Sequence, residues 1–209
     1  LEFFKSMPEG IRKDAWFLTK VTMTGQERNP ETGRYPLLNW DDPATNQKHP
    51  YWKKNIESSD WVFNYDDGYY ETKGISSASG KTRMIFRYAD ILLLYAEAVA
   101  YGTKSIDDLA FDCMWRVQER AGVPLISKDV TKEYFQKAVL DERRWETAGM
   151  EHSCMGRFFT MQRHEILHLQ KNYRDAAELS LNPNLTLSEE FYYFPIPDNE
   201  LLIVPGLKD

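Results

Sequence analysis

MIFRYADILLLYAEAVAY, residues Met84 to Tyr101, is the longest run in the chain with one clear period, and that period is helical. It predicts an apolar face made of Ile85, Ala89, Leu92, Leu93, Ala96 and Val99, with Arg87, Asp90 and Glu97 lying away from it. Gly102 is expected to end this helix. SIDD, Ser105 to Asp108, is expected to open the next, with Ser105 as its cap and Asp108 at the third helical position. The second helix is predicted to reach Ala121 and to bury Leu109, Cys113, Val117 and one of Met114 and Phe111, before Gly122–Pro124 stops it. A third is predicted from Thr131, a capping residue, and buries Phe135, Ala138, Val139 and Trp145. Its charges Glu142, Arg143 and Arg144 read as a helix-to-helix ion-pair network rather than as catalytic groups.

The first two helices form a hairpin of about forty residues, near the ~34 of a tetratricopeptide repeat, although the repeat's own signature is absent. RYADILLLYAEA resembles a helix of the SusD/RagB family of outer-membrane nutrient-binding lipoproteins, and three further matches follow in the family's order. These are ERAGVP (Glu119 to Pro124), DERRWETAG (Asp141 to Gly149) and the closing FPIPDNELLIVPGL (Phe194 to Leu207). The chain departs from the family's pattern at Glu151, Ser153 and Gly156, where Gly, Arg and Asp are usual. It departs again at Trp115 and Gln118, where Asn and Arg are usual. The resemblance implies a mainly α fold, SusD-like helical packing of tetratricopeptide type, carrying a long, irregular, partly β insertion. It also implies the C-terminal portion of a longer lipoprotein, held on the extracellular face of the outer membrane by a lipid anchor upstream. Its partners would be an oligosaccharide or polysaccharide and a SusC-like TonB-dependent transporter; a peptide or glycopeptide ligand is the alternative within the family. Arg87 is expected to pair with a carboxylate of the ERR helix and Tyr88 to pack.

Composition agrees with this and narrows it. The net charge is −6 and the pI about 5.3, which argues against nucleic-acid binding. No run of about eighteen apolar residues is present. Cys113 and Cys154 read as two separate buried thiols. No Gly-rich phosphate loop or nucleophile elbow occurs, and no cofactor is expected.

The chain is expected to form one domain with three regions: a leading segment 1–23, an aromatic-rich region 24–80 and a helical region 81–209. In the first, Arg12, Lys13 and Asp14 read as a solvated turn before a packed strand. In the second, periodicity gives way to NPETG, DDP, HPY, DDG and SSASG, which predict loops with short strands. Nine aromatics are interleaved there with Asn and Asp, a mixture suited to sugars, whose rings carry an apolar C–H face and a polar rim. Most of these rings are expected to fold the loop down. Trp40, Tyr51, Trp52 and Trp61 are the candidates to face a ligand.

One motif competes. HEILH, His164 to His168, fits H-E-x-x-H, which on a helix sets two imidazoles on one face for zinc and leaves Glu165 to activate water. Glu189 or Glu190 would supply the third ligand, giving a zinc metallopeptidase as the alternative from another class. The competing reading gives Met161, Ile166, Leu167 and Leu169 to the core and both histidines to solvent.

Overall fold

The computed structural model describes residues 1–23, 25–45, 49–53, 61–64, 69–72, 85–149, 151–169, 174, 176–181, 196–204 and 206, with 61–64, 69–72, 151–156, 177 and 178 described by their backbone. The architecture is mainly helical. Two compact units divide at residues 157 and 158.

The first unit opens with α1 (Glu2–Ser6) and α2 (Ile11–Trp16). Short strands follow: β1 (Phe17–Leu18), β2 (Lys20–Thr22), β3 (Leu37–Asn39), β4 (Tyr51–Trp52), β5 (Trp61–Asn64) and β6 (Tyr69–Thr72). They pair antiparallel two by two, β1 with β4, β2 with β3 and β5 with β6. The helical body comprises α3 (Tyr88–Tyr101), α4 (Asp108–Ala121) and α5 (Lys132–Thr147), with α3 packed against both of the others.

The hairpin forms as the period predicts, with shifted ends. The Asp90 carboxylate accepts the Arg87 backbone N–H at 2.9 Å, so α3 begins at Tyr88 and leaves Ile85 outside the helix and 71% exposed. Leu93, Ala96 and Ala100 are fully buried, Leu92 and Val99 partly so. The α4 cap is Asp107, not Ser105: its carboxylate accepts the Ala110 N–H at 2.8 Å. Starting the helix there turns Leu109 outward, while Phe111, Cys113, Met114 and Val117 all go in. Gly122 takes the left-handed conformation, φ 68°, and Val123 N–H closes on the Gln118 carbonyl at 3.1 Å, a Schellman stop. Thr131 caps α5 as expected, accepting from Tyr134 N–H at 3.2 Å. Phe111 and Phe135 meet edge to face at 4.8 Å in the centre of the core. Burial of a side chain of this size stabilises by about 1.5–3 kcal/mol. Trp145 and Ala138 are only partly buried. Tyr88 does not pack; it is exposed, and its hydroxyl accepts from Arg116 at 3.2 Å.

Three charges depart from the expected pattern. Arg12 and Lys13 are not solvated: each is 5% exposed. Arg12 donates to Glu142 and, at 3.3 Å, to Glu146, while Lys13 reaches the Met7 carbonyl at 3.1 Å and Glu9 at 2.6 Å. Asp14 alone of that trio is exposed. Glu97, expected outside, is 3% exposed and accepts from Arg143. Glu146 is the hub, taking Arg87 at 2.8 Å and Arg120 at 2.5 Å as well as Arg12. The pairing of Arg87 with the ERR helix, and that helix's role as an ion-pair element, are therefore as expected. Burial pushes the Glu142 carboxyl above its ordinary range, and the Arg12 guanidinium beside it only partly opposes this.

The second unit, residues 158–209, contains the end of α6 (Glu151–Arg163), then α7 (Ala176–Leu181) and α8 (Asp198–Ile203). Thr160, Met161 and Leu167 are its buried side chains among the described residues. Cys113 is a free, buried thiol; the Cys154 side chain lies outside the described residues.

Candidate functional site

Pairing of β1 with β4 sets Phe17 opposite Trp52 and Leu18 opposite Tyr51. Successive strand residues point to opposite faces, so Tyr51 and Trp52 are separated by the pleat. Trp52 lies over Phe17 at 4.7 Å and near Phe3 at 5.9 Å. Gly149, at φ 66° just beyond α5, passes so close that an added Cβ would sit 2.7 Å from the indole. Trp40 meets Phe4 edge-on at 6.0 Å, and Phe4 meets Phe17 at 4.9 Å. Trp40 and Trp52 thus belong to one ring cluster, both half-buried.

Tyr51 stands apart from that cluster. Its side chain is 47% exposed, with the His49 ring 6.4 Å away. Trp40 is fixed through its backbone: its N–H donates to the Thr19 carbonyl at 2.9 Å and its carbonyl accepts from the Thr45 hydroxyl at 2.8 Å. Trp61 begins β5 opposite Thr72, and its side chain lies outside the described residues. The rings that sequence reasoning overlooked are Phe3, Phe4 and Phe17, which form the floor beneath Trp40 and Trp52. Their signal is the dense aromatic content of the leading segment, where three phenylalanines occur within seventeen residues.

HEILH does not lie on one helix. α6 ends at Arg163, and Glu165 adopts a left-handed φ of 54°. Glu165 N–H donates to the Gln162 carbonyl at 3.0 Å and Ile166 N–H to the Met161 carbonyl at 2.9 Å, the paired bonds of a Schellman motif. The motif is therefore a helix stop, and a zincin's helical spacing of two imidazoles is not formed. His168 is exposed, His164 half-buried, and Leu167 and Met161 are buried as the competing reading holds. Among the described residues no three His, Cys, Asp or Glu side chains are grouped to hold a metal ion. Glu189 and Glu190 lie outside the described residues.

The model of the SusD family matches residues 7–209. The chain belongs to the SusD family. Its members are nutrient-binding proteins associated with the outer membrane, and the family is not generally enzymatic. A SusD-like protein of Formosa agariphila is 28% identical over 130 residues, which is 61% of this chain and 23% of that protein. The match thus covers less than a quarter of that relative's length. No solved structure matches the chain. Among the described residues no helix is long and apolar enough to cross a membrane.

Proposed function

We propose that this chain is a glycan-binding part of a cell-surface nutrient uptake system, delivering oligosaccharide to a SusC-like TonB-dependent transporter in the outer membrane. In this reading the protein is held on the extracellular face by a lipid anchor upstream, and it performs no chemistry. The observation that carries the reading is the family match across residues 7–209. The aromatic-rich region supports it: Tyr51 offers an open ring, and Trp40 and Trp52 offer half-buried ones in the separate cluster on Phe3, Phe4 and Phe17. Trp61 is the fourth candidate.

A sugar's C–H face stacks on such rings while Asn39 and neighbouring carboxylates take its hydroxyls. A single oligosaccharide held in this way binds in the micromolar to millimolar range, roughly 4–8 kcal/mol. Affinity electrophoresis of the wild type and Tyr51→Ala through polysaccharide gels tests the site. Loss of retardation in Tyr51→Ala, at an unchanged melting temperature, is the expected result. Equal retardation of the two removes Tyr51 from the site.

A further inference from the structure

We draw no further inference here: the strongest candidate, the exposed apolar face of α3 formed by Tyr88, Ile91, Leu94 and Tyr95, carries nothing because nothing in the structure shows what covers it.

Discussion

Arg12 is charged, 5% exposed, and joined to side chains 130 and 134 residues further along the chain. Its Nε and Nη2 find no partner among the described residues, so its burial is costly and its pairing with Glu142 and Glu146 offsets only part of that cost. Arg12→Ala leaves the buried Glu142 without its cation, while Glu146 keeps Arg87 and Arg120, and should lower stability by about 3–5 kcal/mol, whereas the double variant Arg12→Met, Glu142→Leu should cost clearly less. Urea unfolding of the two variants measures both. Glu142 makes a pH prediction of definite sign. Its folded pKa is raised by burial above an ordinary 4.5, so its contribution to stability is present below that value and is lost as pH rises through the raised pKa. Melting curves of Glu142→Gln should lack that fall. Glu142's place in an ion-pair network was readable from the charge cluster of α5, but its buried partner Arg12 was not. The turn pattern around Arg12 assigns it to solvent, and a contact across 130 residues leaves no local trace. Trp52 and Tyr51 show the same gap: both appear as loop aromatics, yet β4 turns one into the Phe3 and Phe17 cluster and the other outward. Trp52→Ala should therefore cost about 3 kcal/mol, while Tyr51→Ala should cost less than about 0.5 kcal/mol.

The helices of the hairpin were the readable elements, because period, cap and stop agree along one short stretch. α3 and α4 lie where the pattern places them, but both starts moved: α3 begins at Tyr88 and leaves Ile85 outside, and the cap of α4 is Asp107 rather than Ser105, which turns Leu109 outward. The departures from the family's motif at Trp115 and Gln118 now have a structural role. Trp115 Nε1–H donates to the Ile126 carbonyl at 2.7 Å, and the Gln118 side chain accepts the Ile126 N–H at 2.9 Å, so together they clamp the strand of chain after α4. The end of α6 was misleading because H-E-x-x-H is a pattern of residue types and carries no information about where a helix stops. Glu165 sits in the position that glycine prefers, so Glu165→Gly should leave stability unchanged or raise it by up to about 1 kcal/mol. Within a continuous helix the same change would lower stability by about that amount, so the sign of the shift in melting temperature separates the two readings. Gly149 makes the converse prediction. A Cβ there meets the Trp52 indole at 2.7 Å in a left-handed backbone, and Gly149→Ala should lower stability by about 1–3 kcal/mol.

For the molecule as a whole, membership of the SusD family follows from motifs spread from Arg87 to Leu207 and from the match over residues 7–209. The fold class was readable for the same reason: three helices with one core hold most of the buried apolar side chains among the described residues. The outward-facing rings were not, since they depend on how the short strands of the aromatic region pair. Pairings such as Leu18 with Tyr51, made across more than thirty residues, decide that. The central claim is that this surface binds glycan. The most direct measurement is intrinsic tryptophan fluorescence of the whole chain, titrated with plant, host and microbial polysaccharides and with a peptide digest as a separate arm. The account predicts a saturable change with at least one polysaccharide, in the micromolar to millimolar range, that is reduced in Tyr51→Ala. No change with any polysaccharide, or saturation by peptides alone, would contradict it.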